Sequence, residues 1–163
     1  MRTIGVDPGS RAAGYGVVEK QGSQLVHIDC GVIVPPKDAV LPARLLFIEN
    51  ALEEVVRRYR PEQAAVEDVF YSRNWRSALK LGQARGAVLA ALAREGLEIV
   101  EYAPARVKLA VVGFGRAEKE QVQQMVRVLL GLPEIPEENA ADALALAICR
   151  LHDSDDRLRE LLK

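Results

Sequence analysis

The first 34 residues constrain the fold more than any other stretch. Arg2 to Val6, Gly14 to Glu19 and Leu25 to Val34 read as strands. The links between them, a turn at Pro8-Gly9 and a tight connection near Gln21-Gly22, are too short for a crossover. Three strands joined in this way form an antiparallel meander. Pro35-Pro36 ends it.

The period then changes. Leu41 to Tyr59 carries apolar residues at helical spacing (Leu45, Ile48, Leu52, Val55, Val56, Tyr59), and Pro61 breaks it. Ala64 to Val69 reads as a short buried strand, followed by a polar and aromatic loop from Phe70 to Trp75. A helix is expected from about Arg76 to Arg94, a fifth strand at Leu97 to Tyr102 and a loop or short helix at Ala103 to Ala117. Two further helices follow, Glu118 to Leu130 and a last one from Glu137 or Glu138 through His152. Strands alternating with helices add parallel pairing to the meander. The expected class is α/β: a mixed five-stranded sheet with helices on both faces. All 163 residues fit one domain, with a loosely held tail from about Asp153.

The net charge of −1 excludes a simple polycation, yet charge is unevenly placed. Phe70 to Lys119 holds nine Lys or Arg against four Asp or Glu, a net of +5, whereas Gly131 to Lys163 has a net of −4. A basic middle can present a basic face to phosphate. The two cysteines, Cys30 and Cys149, have unrelated spacing; they suggest neither a disulfide framework nor a zinc site and fit a reducing cytoplasm. No signal peptide is visible. The best apolar run, Ala140 to Cys149, is too short to cross a bilayer and carries Asp142.

Three acids interrupt apolar elements: Asp7 at the end of the first strand, Glu67 in the fourth, and Asp142 in the last helix. A carboxylate in such surroundings is costly unless it is paired or holds a cation. Strands one and four can be neighbours in this topology, which would bring Asp7 and Glu67 together. Clustered oxygen ligands suit magnesium or manganese. Each acid also has an ordinary reading: turn residue, strand end, salt-bridge partner. Asn139 and Glu138 lie three and four residues before Asp142, on the same helical face. Both also suit plain helix-start chemistry.

Ile4-Gly5-Val6-Asp7-Pro8-Gly9 followed by Gly14-Tyr15-Gly16-Val17-Val18 resembles the opening of the RuvC family. Val66 to Phe70, Ala78 to Gly86, Tyr102-Ala103-Pro104, Val111 to Gln123 and Ala140 to Ala145 continue the match, in order over nearly the whole chain. The resemblance implies a ribonuclease H-like fold and a magnesium- or manganese-dependent endonuclease, with two ions per active site, that cuts four-way DNA junctions. The family's four acidic ligands fall on Asp7, Glu67, Asp142 and Asn139, the last being aspartate in the usual pattern. Glu138 is the alternative if Asn139 does not serve. Asp7 would bridge both ions, Glu67 would hold one, and Asp142 with Asn139 the other. Two such ions activate a water and stabilise the leaving 3′ oxygen.

By the same resemblance Lys108 and Lys119 would meet phosphate near the cut, Lys119 as part of the catalytic set. Phe70 would stack on an unpaired base. Tyr71, Arg73, Asn74 and Arg76 extend that loop as DNA contacts; Trp75 would add a stacking surface or pack beneath it. A homodimer is implied, as are the branch-migration partners RuvA and RuvB. Ala78, Gly82, Gly86 and Ala90 form a smooth helical stripe, suited either to tight packing on the sheet or to a dimer contact. Three rival readings remain at this point: a YqgF-type nuclease, a fragment of an actin-like kinase or ATPase, and a junction-binding protein that lost its metal through Asn139.

Overall fold

A computed structural model describes residues 1–68 and 74–161, with side chains through 154. Strands β1 (Arg2–Asp7), β2 (Ala13–Gln21) and β3 (Gln24–Ile33) form the expected meander. Helix α1 (Leu41–Tyr59) leads to β4 (Gln63–Glu67), helix α2 (Trp75–Arg94) to β5 (Glu98–Tyr102), and three helices close the chain: α3 (Pro104–Val112), α4 (Lys119–Leu130) and α5 (Glu138–Leu161). The sheet order is β3-β2-β1-β4-β5, antiparallel on the meander side and parallel where β4 meets β1 and β5.

The segment read as a loop or short helix is the helix α3. Pro104 stands in its first turn, where its missing N–H costs nothing, and Gly113 ends it with a φ of 93°. The last helix also outruns its expected end at His152 and continues to Leu161. The stretch expected to loosen is anchored at its start: Arg106 pairs with Asp153, and Ser154 is buried with its hydroxyl donating to the Arg150 carbonyl at 2.8 Å.

The period of two sorts the strand residues between two cores. Ile4 and Val6 of β1 and Ala64 and Val66 of β4 face α1 and α2, where Ile48, Leu52, Val88 and Leu92 complete one core. The alternate residues face α5. Ala65 joins Val18, Leu144, Ile148 and Leu151 in the second core, which α3 and α4 cover. From Ala140 to Leu151 every residue of α5 except Asp142 is buried.

That helix lies unusually close to the sheet because glycines make room for it. A Cβ on Gly5 would sit 1.9 Å from the Ala143 carbonyl oxygen, and one on Gly14 would sit 2.0 Å from that of Asn139. Gly16, paired with Gly5 across the meander, is filled in the same way by Leu144. By contrast nothing lies within 4 Å of a Cβ on Gly82 or Gly86. The small-residue stripe of α2 therefore does not pack on the sheet: Gly82, Gly86 and Ala90 are exposed, while Ala84, Val88, Ala91 and Leu92 form the buried face.

Candidate active site

The same parity that builds the cores places the acids. In β1, Thr3, Gly5 and Asp7 point to the α5 side; in β4, Gln63, Ala65 and Glu67 do so. Val6 pairs with Val66, so Asp7 and Glu67 leave adjacent strand ends side by side. At the other end of these strands Gln63 Nε2 donates to Thr3 Oγ1 at 2.8 Å. Gln63 also reaches Ser154 of α5, while Asn139 lies over Gly14. Helix α5 thus runs against the direction of β1, and its positive N-terminal end comes to the carboxylates.

Asp7, Glu67 and Asp142 act on one another there. Burial first, then the Glu67 and Asp142 carboxylates, push the Asp7 carboxyl up to about 7. Burial and Asp142 likewise raise Glu67, against a hydrogen bond with Asp7 that lowers it. The two carboxyls are near enough to share a hydrogen bond whenever one of them carries a proton. This is negative charge gathered beyond what the surroundings offset.

Lys119, just after the Glu118 cap of α4, brings positive charge to the rim. Its ammonium lies 2.9 Å from Asp142 and also pairs with Glu138. Burial opposes that charge, but the hydrogen bonds to Glu138 and Asp142 outweigh it and hold the ammonium above its ordinary value. Lys108 of α3 lines the same cavity of about 170 Å³ as Glu67, Lys119 and Asp142, over an apolar floor that includes Val107, Val122 and Leu146.

Other expected site residues are arranged differently. The Asn139 amide nitrogen donates to Glu137 Oε1 at 3.3 Å, and Glu137 Oε2 caps α5 by accepting from Asn139 N and Ala140 N. Glu138 is engaged by Lys119. Among the described residues no group of three His, Cys, Asp or Glu side chains already converges as a cation cage. Asp7 and Glu67 meet directly, whereas Asp142 turns an oxygen to Lys119. Asn74 caps α2, its side-chain oxygen accepting from Arg76 N and Ser77 N. The Arg76 guanidinium lies over the ring of Trp75, which is 69% exposed. Phe70, Tyr71 and Arg73 lie outside the described residues.

Sequence reading missed Arg85, one turn past the first residues of the small stripe. Its Nε donates to the Glu67 carbonyl at 3.3 Å, and its guanidinium pairs with Asp68 and Glu101. Asp68 N donates to the Tyr102 carbonyl at 2.9 Å. Together these fix the end of β4 on which Glu67 stands. The single clue in the sequence was an arginine on an otherwise small and apolar helix face.

Comparison with known proteins identifies this arrangement. The family profile described as "Crossover junction endodeoxyribonuclease RuvC" matches residues 3–150. A protein of that name from Trichlorobacter lovleyi is 54% identical over 98% of this chain and 89% of its own. One from Citrifermentans bemidjiense is 53% identical over 94% of each. A solved structure of Thermus thermophilus RuvC in complex with a Holliday junction substrate superposes with a TM-score of 0.89 at 38% identity, covering 94% of both chains. The fold is accordingly ribonuclease H-like. Among the described residues no helix is long and apolar enough to cross a membrane. Nucleases of this family depend on divalent metal, and the residues present fit one: oxygen donors only, with the Asp7 carboxyl raised to about 7 by burial and by the neighbouring Glu67 and Asp142 carboxylates, crowded negative charge that a cation would offset. The chain belongs to the RuvC family of crossover junction endodeoxyribonucleases.

Proposed function

We propose that this chain resolves four-way DNA junctions as a homodimer, cutting two opposed strands symmetrically with two divalent cations, magnesium or manganese, in each active site. The observation that carries this reading is the Asp7–Glu67 pair, which parity and the β1–β4 register set side by side facing Asp142. When bound, the two ions supply an activated water and stabilise the departing 3′ oxygen of an in-line displacement. Asp7, Glu67, Asp142 and Asn139 would hold them, with Asp7, central to the cluster, shared between the two, Glu67 serving one and Asp142 with Asn139 the other. Lys108 and Lys119 orient the scissile phosphate and offset its growing charge. Phe70, Tyr71, Arg73, Asn74 and Arg76 meet the DNA at the crossover, Asn74 also serving as the α2 cap. The outward small stripe of α2 is the dimer contact, since a two-fold axis puts two centres on opposed strands. The whole chain works as one nuclease unit in the cytoplasm, alongside RuvA and RuvB.

The direct test offers the chain a synthetic four-way junction, a flap and an RNA–DNA hybrid with magnesium or manganese. Paired nicks at symmetric positions, made only in the junction and resealed by ligase, are expected. Chelation with EDTA should abolish them. Cleavage of the hybrid or flap in preference to the junction would overturn the assignment.

A second expectation concerns Asn139. Magnesium gives up its waters reluctantly and requires near-ideal octahedral geometry, so a ligand set short of one negative charge weighs more heavily on it than on manganese. Wild-type cleavage should be faster in manganese. Asn139→Asp restores the charge and should narrow the manganese-to-magnesium rate ratio by about tenfold, a typical size for retuned ligand surroundings. An unchanged ratio removes Asn139 from the ligand set and passes the role to Glu138.

A further inference from the structure

A second polar cavity, of about 490 Å³, opens on the opposite side of the sheet end from Lys108 and Lys119. Three segments converge on it. The β1–β2 loop brings Ser10 and Arg11, the start of α1 brings Arg44, and the first turns of α2 bring Ser77 and Lys80. Among the described residues no carboxylate lines it. Arg44 is held in place by donating to the Lys37 carbonyl at 2.5 Å, yet its Nε, shielded from solvent, has no acceptor. A buried donor without an acceptor is uncommon in folded proteins and marks a place where an oxygen is wanted. Helix α1 adds its own demand: its Val40 cap contributes no side-chain hydrogen bond, and no acid stands in its first turn. Ser77, Lys80 and Leu81 share one face of α2, at i, i+3 and i+4, apart from the Ala78–Gly82–Gly86 stripe.

We propose that Ser10, Arg11, Arg44, Ser77 and Lys80 form a second phosphate site, which takes a backbone phosphodiester of the DNA strand one to a few nucleotides from the cut. The placement follows from the chain: Ser10 is three residues past Asp7, at most about 10 Å of extended backbone. The scissile strand then runs between two basic flanks. Lys108 and Lys119 lie on the α3–α4 side, and this cavity lies on the α1–α2 side. Contacts of this kind set register and affinity and carry no base information. DNA suits the cavity better than an acidic peptide, because it lies at the same sheet end as the nuclease carboxylates.

The site rests on the junction-binding reading above, and the test separates the two. Binding of a fluorescent four-way junction to the full chain is measured in calcium over a series of salt concentrations. Wild type should bind with a steep loss of affinity as salt rises; failure to bind overturns the junction reading and this site with it. The double variant Arg11→Ala/Lys80→Ala, both exposed positions, should bind about tenfold more weakly at moderate salt, with a log–log salt slope shallower by about 1 to 2. Arg44→Ala, checked by its thermal melt, should behave alike, and Arg11→Lys/Lys80→Arg should retain the wild-type slope. Arg58→Ala, at the far end of α1, should also leave the slope unchanged. Wild-type slopes in the alanine variants, or an equal loss in Arg58→Ala, overturn the site. Unchanged DNA binding with lost affinity for an acidic peptide would assign the cavity to a protein partner and overturn it too.

Discussion

Asp7→Asn is expected to lower junction cleavage by on the order of 10³-fold or more, the scale on which a site loses a group that organises the transition-state charge. Junction binding in calcium should persist, because the substitution removes a negative charge facing the phosphates. Loss of cleavage and binding together, or retained cleavage, would count against a bridging role. The same variant should be more stable than wild type without metal. The folded Asp7 carboxyl, at about 7, lies above its unfolded value. Its neutral form therefore favours folding below about pH 4, and that contribution fades as pH rises through about 7. Asparagine has no such titration and can still donate to Glu67. At pH 8 the metal-free variant should melt higher by about 2–4 °C per kcal/mol relieved, and the difference should vanish in acid. A melting difference independent of pH would mean that charge is not its source.

The second large effect is expected at Gly5. A methyl group there would overlap the Ala143 carbonyl oxygen and lie 2.7 Å from Ala147 N, and both are backbone atoms of the most buried helix. Neither can yield without lifting α5 from the sheet. Gly5→Ala should therefore cost about 3 kcal/mol or more, at the upper end for overpacking, and most of the expressed chain should be lost to misfolding. Gly14→Ala meets α5 near its first turn, at Asn139, where the helix end can tilt. It should fold, melt only slightly lower, and still cleave at least tenfold more slowly, because Asn139 and Asp142 move away from Asp7. Circular dichroism melts alongside cleavage rates check both variants; a Gly5→Ala protein that melts like wild type would show that α5 can be displaced cheaply.

Much of this was legible from residue order, for physical reasons that vary by element. Links too short for a crossover dictated the meander, and strand parity put Asp7 and Glu67 on one face once β1 and β4 were neighbours. Helix α3 was ambiguous, because nine residues between Ala103 and Gly113 are too few for a clear period. The continuation of α5 was hidden by Asp153, Asp155 and Asp156, whose charges read as a solvated tail although Arg106 already holds the first of them. Gly5, Gly14 and Gly16 announce a close approach without naming what approaches. Asn74 read as a DNA contact, and its cap on α2 became visible only with the backbone geometry in hand. The cavity of Arg11, Arg44 and Lys80 joins residues far apart in sequence, and no spacing rule gathers them.

Helix α5 gives one wall of the proposed active site no partly melted state of its own. Its run from Ala140 to Leu151 holds the centre of the second core, and Asp142 is the one charged side chain that this run, before Arg150, sends to the site, over a floor that includes Leu146. Fraying around Asp142 would expose Leu144, Ile148 and Leu151, so this segment opens only when the whole molecule does. Glu67, by contrast, hangs from a strand end fastened by Arg85 and can shift while the cores stay closed. Damage against that buried run, as at Gly5, therefore appears as fewer working molecules, each turning over at full speed, and damage at the tilting start of α5 or near Arg85 as a full complement of slower ones.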